Sequence, residues 1–283
     1  MKPLTQYDNV SSKISILLTK NYSTSFSLGI RMFDRELRAP IAGIYGFVRL
    51  VDEIVDTFHH IDKEKFLNQI IEETNQCISS GLSLNPILHT FGQVVNNYKI
   101  DWEYIESFLN SMKMDLEIKN YSEAKYKEYI YGSAEVIGLF CLKVFLEKEP
   151  EKFDELKISA RALGSAFQKI NFLRDIRSDF EERGRIYFPN VEFQSLSNSD
   201  KLNIERDIES DFMKAKEGIS RLPNSSKFGV KLAYIFYYNL FQKIRKASVD
   251  ELVTRRIRIS NFYKFLLFIK IYFQTKFSSL LNR

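Results

Sequence analysis

The stretch from Pro40 to Phe58, PIAGIYGFVRLVDEIVDTF, restricts more than any other what this chain can become. Proline at the first helical position suits a helix start, because the N–H it lacks is one the first turn leaves unpaired anyway. On a helical period Tyr45, Arg49, Asp52 and Asp56 fall at steps of four, three and four, which places them on one stripe. Ile44, Phe47, Val48, Leu50, Val51, Ile54, Val55 and Phe58 cover the remaining circumference, so the helix is expected to be buried over most of its surface. A buried carboxylate without solvation or a partner costs several kcal/mol or neutralises. The charged stripe should therefore face a wet, charged cavity.

Phe167 to Phe180, FQKINFLRDIRSDF, repeats the logic. Gln168, Asn171, Asp175 and Asp179 are spaced by three, four and four, with Phe167, Ile170, Phe172, Leu173, Ile176 and Phe180 as apolar cover. A lone D-x-x-x-D on a helix reads as a solvated acidic face. Two of them, each wrapped in Phe, Ile and Leu or Val and accompanied by Arg, do not. Hard cations such as Mg²⁺ bind carboxylate oxygens, keep several waters and are commonly held by one or two carboxylates plus substrate phosphates. Two facing pairs are expected to hold several Mg²⁺ ions, with Mn²⁺ as a substitute, and so to neutralise a departing diphosphate.

These segments, with YSTSFSLGIRMF (Tyr22 to Phe33) and GRIYFP (Gly184 to Pro189), resemble the squalene/phytoene synthase family of head-to-head prenyl transferases, over a span from about Tyr22 to Arg258. The pattern is most similar to that of bacterial phytoene synthases. The resemblance implies an all-α, isoprenoid synthase-type helical bundle with a central cavity, formed as one domain over residues 1–283. It implies Mg²⁺ ligands Asp52, Asp56, Asn171, Asp175 and Asp179, with the four aspartates, Tyr45 and Tyr237 at the catalytic centre. Substrate contacts carried over by the same likeness are Ser23, Phe26, Arg49, Gln168, Asn171, Arg185, Tyr187 and Arg256. Tyr237 stands eight residues before Arg245, as a cavity tyrosine of the family does; otherwise it is one of a core aromatic stripe. One stretch departs from the family pattern: Ser133 to Gly138 read SAEVIG, with Glu135 where glycine is usual, which bears on local cavity shape.

The implied reaction condenses two geranylgeranyl diphosphates through a cyclopropylcarbinyl diphosphate to phytoene, without NADPH. Alternatives are a squalene or dehydrosqualene synthase using farnesyl diphosphate, and a non-catalytic relative kept as an assembly or binding protein. Spacing alone reaches only Mg²⁺-dependent diphosphate chemistry. The 24 Phe and 15 Tyr suit a cavity that shelters cations with ring faces and excludes water, although most of those rings are core.

Charge separates few classes. Forty-one Lys and Arg against 36 Asp and Glu give +5, and without a concentrated basic stripe or a recognised module nucleic-acid binding is not expected. Cys77 and Cys141 lack metal or redox spacing and read as reduced thiols; the three histidines make no zinc pattern. The first residues lack the apolar core of a signal peptide, so a cytoplasmic protein is expected; the sequence sets no oligomeric state, a monomer being favoured.

Further helices are expected over Gln6 to Lys20 with Val10, Ile14, Leu17 and Leu18 inward, Lys63 to Ser79 with Asp62 as N-cap and Phe66, Ile70 and Cys77 inward, Ile87 to Tyr98, Trp102 to Ile118, Ser122 to Glu147, Glu151 to Phe180, a helix capped by Ser199 through Leu222, Lys227 to Ala247 and Phe262 to Leu281. Gly132 and Gly138 mark either close packing or cavity wall, and Tyr129 and Tyr131 either line the cavity or belong to the core. The hydroxyls around Phe26 either cap a helix or donate to a diphosphate. Arg31, Arg35 and Arg38, like Arg255, Arg256 and Arg258, either track diphosphate oxygens or are surface cations. Glu181 to Asn198 is the longest irregular stretch and reads as a flap. In the last helix Phe262, Leu266, Ile269, Phe273 and Phe277 share a face, while Lys264, Lys270 and Lys276 make it a poor spanning helix. It either docks on the fold or lies on an anionic bilayer, at the inner face of the membrane.

Overall fold

A computed structural model describes the chain from Pro3 to Leu281, with side chains from Leu4 to Phe273. The positions expected of Lys276 and Phe277 lie outside the described side chains. The elements are α1 (Pro3–Tyr22), α2 (Thr24–Arg31), α3 (Arg35–Asp56), α4 (Lys63–Ser80), α5 (Pro86–Tyr98), α6 (Trp102–Glu117), α7 (Glu123–Ile130), a π-helical turn (Tyr131–Glu135), α8 (Val136–Phe145), α9 (Phe153–Arg183), α10 (Asn198–Ile219), α11 (Asn224–Lys246), α12 (Val249–Thr254) and α13 (Asn261–Leu281). Among the described residues there is no strand, only an isolated bridge between Asn120 and Ile186.

The core forms where the apolar stripe of α3 meets α5, α6 and α8. Phe47 is fully buried and stacked on Phe91 with ring centroids 3.8 Å apart, and Phe108 and Phe140 close around them. Burying a side chain of this size is worth about 1.5–3 kcal/mol. The helix therefore has one stable rotation, and that rotation aims Tyr45, Arg49, Asp52 and Asp56 away from the core.

Several expectations are corrected. Pro40 is not at the first helical position; α3 starts at Arg35, so proline sits inside the helix. The turn before it is held from outside, by the Asp34 N–H donating to the Ser225 carbonyl at 3.0 Å and Arg38 Nε donating to the Phe33 carbonyl at 2.8 Å. Phe58 lies beyond the helix end and is exposed. On α1 the apolar residues Val10, Ile14 and Leu17 are exposed and Ser11, Ser15 and Thr19 are buried. The cause is close approach: a Cβ on Gly46 of α3 would sit 3.2 Å from Ser15 Oγ, a distance only small side chains tolerate. Phe66 faces solvent. Ser197, not Ser199, caps α10, through a capping box with Asp200.

The helix expected across Ser122 to Glu147 is broken by the π-helical turn. Its glycines pack rather than open space. A Cβ on Gly132 would come 2.3 Å from the Ser107 carbonyl oxygen, and one on Gly138 would come 2.4 Å from that of Ala160; Gly138 also borders the cavity. Glu135 turns outward, where Arg161 Nε donates to it at 2.6 Å, so its carboxylate does not intrude on the cavity. No helix among the described residues is long and apolar enough to cross a membrane.

Candidate active site

Helices α2, α3, α8, α9, α10 and α11 enclose a cavity of about 720 Å³. The two aspartate stripes border it from α3 and α9, and its inner end is apolar, reaching Phe33, Phe145, Leu156 and Leu222. Ser23, Phe26, Tyr45, Arg49, Asp52, Asp56, Gln168, Asn171, Asp175, Asp179, Tyr187, Tyr237 and Arg256 all line it. Residues separated by as many as 233 positions are thus brought to one space, because two helices with buried apolar faces can present their polar stripes only to each other.

Arginines bind the carboxylates together. Arg256 Nε donates to Asp175 at 2.6 Å, and Arg174 Nε to the same side chain at 3.0 Å. Arg183 Nη1 donates to Asp179 at 2.7 Å and its Nε approaches Asp56 at 3.4 Å, which ties the α9 pair to the α3 pair. Arg49 is engaged with Glu53 one turn on and lies 4.5 Å from the centre of the Tyr22 ring. Of the basic knot only Arg256 reaches the site; Arg255 pairs with Glu251. Arg31, Arg35 and Arg38 do not border the cavity.

Arg185 is placed differently from the other expected substrate contacts. It is buried one layer behind the cavity wall, donating from Nη1 to Asp56 at 2.8 Å and to the Tyr187 hydroxyl at 3.2 Å, with Asp115 3.6 Å away. Asp115, on α6, was not anticipated. It accepts hydrogen bonds from Tyr129 at 2.6 Å, Tyr187 at 2.9 Å and Tyr121 at 3.1 Å. The signal for it was present: Ile105, Phe108, Met112 and Asp115 form the buried stripe of α6, and an acid on such a stripe needs a partner. Arg174 was likewise missed. Tyr129 belongs to the site and Tyr131 does not, lying against Arg161 on the outside.

The electrostatics describe a site short of positive charge. Burial, the neighbouring Asp56 and the more distant Asp115 raise the Asp52 carboxyl to about 8 against the pull of Arg49. Its side chain nonetheless keeps 34% of its surface open. Burial pushes Asp179 up to about 7, partly offset by Arg183, and Asp115 to about 6, partly offset by Arg185. Among the described residues no three of His, Cys, Asp and Glu close into a cage for one ion. The donor set is instead open, two carboxylates per helix with Asn171 alongside, and it suits a hard cation that completes its shell with water and phosphate oxygens.

Aromatic rings line the space between the charged mouth and the apolar end. Phe167 stacks on Tyr237 at 3.9 Å, and Phe26 lies within 5.8–6.3 Å of Tyr45, Phe167 and Tyr237. Tyr237 donates to Asn171 Oδ1 at 3.5 Å. Burial raises the Tyr45 hydroxyl to about 12 and the Tyr237 hydroxyl as well, so both are neutral donors at ordinary pH. Ser23 is the N-cap of α2, its Oγ accepting from the Phe26 N–H at 3.1 Å, so at least one hydroxyl of that segment serves the helix end.

Residues 19–263 match the family model described as squalene/phytoene synthase. A 4,4'-diapophytoene synthase of Staphylococcus haemolyticus is 24% identical over 249 residues, 82% of this chain and 86% of that protein. A phytoene synthase of Mycobacterium tuberculosis is 24% identical over 189 residues, 65% of this chain and 59% of that one. Among solved structures, a dehydrosqualene synthase superposes with a TM-score of 0.81 at 18% identity, covering 97% of this chain and 99% of that chain. A squalene synthase of Alicyclobacillus acidocaldarius gives 0.72 at 19% identity, covering 84% and 94%.

Proposed function

This chain belongs to the squalene/phytoene synthase family, and within it we propose that the protein condenses two geranylgeranyl diphosphates head to head to phytoene. The observation that carries the reading is the pair of facing aspartate stripes, bridged by Arg183, at the mouth of an apolar cavity ringed with aromatic side chains. Two similar proteins are phytoene synthases. The cavity, about 720 Å³ with an apolar inner end reaching Phe33, Phe145, Leu156 and Leu222, suits long isoprenoid chains.

Asp52, Asp56, Asn171, Asp175 and Asp179 would hold Mg²⁺, which when bound supplies Lewis-acid neutralisation of the leaving diphosphate. The chain's own groups do the rest. Arg174, Arg183 and Arg256 already reach into the site and offer charge-assisted hydrogen bonds to diphosphate oxygens. In the reaction the C–O bond of one allylic diphosphate breaks, and the alkene of the second attacks the resulting cation. Proton loss closes a cyclopropylcarbinyl diphosphate, whose own ionisation, rearrangement and proton loss yield the triene. Phe26, Tyr45, Phe167 and Tyr237 present ring faces to these cations and keep water from them. The two tyrosines, neutral at ordinary pH, orient groups by hydrogen bonding rather than acting as bases; released diphosphate is the available proton acceptor.

A second reading, condensation of two farnesyl diphosphates to dehydrosqualene, is favoured by the Staphylococcus relative, which matches over more of both chains. Incubation with Mg²⁺ and either diphosphate, without NADPH, distinguishes them. A forty-carbon triene from the longer substrate is expected. A thirty-carbon hydrocarbon formed only from the shorter one establishes the second reading, and no product from either with or without NADPH overturns both.

A further inference from the structure

Lys63 stands at the wrong end of its own helix. It is the first residue of α4, where free N–H groups disfavour a cation, and α4 is already capped by Asp62, whose Oδ1 accepts from the Lys65 N–H at 3.0 Å. The side chain runs back instead to the C-terminal end of α3, where the helix dipole favours a cation, and its Nζ donates to the Val55 carbonyl at 2.6 Å. That carbonyl needs a partner from outside the helix. The N–H groups of Thr57 and Phe58 both donate to the Glu53 carbonyl, and the His59 N–H, which would continue the helix to Val55, donates to Thr57 instead. Lys63 Nζ also lies 3.3 Å from His59 Nδ1.

The residue after Val55 is Asp56, the last of α3. The Val55 carbonyl oxygen and the Asp56 Cα belong to one rigid peptide plane, so a bond to the first fixes the second. The Asp56 carboxylate accepts from Arg185 Nη1 at 2.8 Å and lies 3.4 Å from Arg183 Nε. Lys63 shares that surrounding: burial, Arg185 and Arg183 hold its ammonium below the ordinary lysine value, against the pull of Asp56. It is half-buried, whereas Thr57, Phe58, His59 and His60, which lead to it from α3, are all exposed. Exposed residues give a helix end little packing, which leaves the bond from Lys63 to hold its last turn.

We propose that Lys63 is a positioning residue of the metal site: by holding the Val55–Asp56 peptide it keeps the Asp56 carboxylate turned to the cavity, where it and the α9 pair would hold Mg²⁺. The inference rests on the assignment of Asp56 as a metal ligand made above. Removing Lys63 has two opposed effects. Loss of a nearby cation favours the metal, and loosening of its ligand disfavours it. A half-exposed charge is screened and changes affinity by about fivefold at most. Loss of the support behind a metal ligand costs about tenfold to a hundredfold, so the loosening decides the sign.

The test is Mn²⁺ binding in the presence of inorganic diphosphate, followed by electron paramagnetic resonance, on the parent chain, Lys63→Met and Lys63→Arg, with melting temperatures measured alongside. Expected is an apparent Kd about tenfold higher in K63M. K63R, whose side chain reaches the same carbonyl, should stay within about twofold of the parent. In turnover the same contrast reads as a higher Mg²⁺ concentration for half-activity in K63M, with kcat at saturating Mg²⁺ retained. A K63M chain that melts lower yet binds Mn²⁺ as the parent does overturns the inference. So does a K63R chain as weak as K63M, or tighter binding in K63M, the sign expected of a charge alone. A parent chain that binds no Mn²⁺ with diphosphate overturns the metal-site reading itself, so the parent alone tells the two failures apart.

Discussion

Asp52 shows how a side chain of the proposed metal site can be costly to the fold. Its carboxyl stands near 8, Asp179 near 7 and Asp115 near 6, all above the ordinary carboxylate value of about 4. Between those limits the folded protein holds protons that the unfolded chain has released, so stability is greatest in mild acid and falls as pH rises from about 5 toward 8. Cavity water screens part of the effect. In metal-free buffer the melting temperature should be higher at pH 5.5 than at pH 8.5 by about 2–4 °C, measured by scanning calorimetry. Asp52→Asn removes the ionisation while keeping the shape, so it should flatten this dependence and melt higher at pH 8.5 while losing turnover by about 100-fold or more. A variant that melts lower at that pH would show that Asp52 is already neutralised in the fold.

Asp115 acts at the same scale but through others. It holds Tyr129, Tyr187 and, at longer range, Arg185, and Arg185 holds Asp56. Asp115→Asn keeps an acceptor but drops the charge that anchors the guanidinium. Turnover should fall about tenfold to a hundredfold, with the Mg²⁺ concentration needed for half-activity rising; an unchanged Mg²⁺ requirement would confine Asp115 to a packing role.

At the scale of elements, the cavity depends on how closely the π-helical turn and α8 approach α9. A Cβ on Gly164 would stand 2.2 Å from the Ala134 carbonyl oxygen, backbone against backbone, with nothing flexible to give way. Gly164→Ala should destabilise by about 1–3 kcal/mol, read from urea denaturation. Here a substitution that improves helix propensity by about 1 kcal/mol in isolation has the opposite sign in the protein. The π-helical turn has a second effect: it sends Glu135 to Arg161, which is why an acid in place of the usual glycine leaves the cavity apolar. Of the helices, those with strong apolar periodicity were legible, and α1 was read with its faces reversed. Hydrophobicity ranks faces correctly only where packing distance is free to adjust. At Gly46 it is not, and the small serines go inside.

At the scale of the molecule, Arg183, which ties one aspartate pair to the other, stands at the position proposed here for a cation and diphosphate. Addition of inorganic diphosphate with MgCl₂ should raise the melting temperature more than the sum of either alone, with stabilisation growing toward about 2.7 kcal/mol at a hundredfold excess over Kd. It should also protect residues 184–197 from proteolysis, because Arg183, just before that segment, and Arg185, within it, are both tied to Asp56. Equal stabilisation by diphosphate without metal would assign the anion to the arginines alone.

What the sequence by itself determined is the pair of polar stripes and their apolar wrapping. Periodicity is local, and a helix that must bury its Phe, Ile and Val has no freedom over where its Tyr, Arg and Asp point. The eight residues of the two stripes all line the cavity for that reason, whereas Ser23, Phe26, Tyr187, Tyr237 and Arg256, which also line it, were expected from the family likeness and not from periodicity. Only the tertiary structure decided which charges meet. Arg185 bonding to Asp56 across 129 positions, Arg256 to Asp175 across 81, and the tyrosines gathered on Asp115 are set by how helices far apart in the chain cross. No spacing rule reaches that distance, because the energy that chooses those partners is shared among all the packed faces at once.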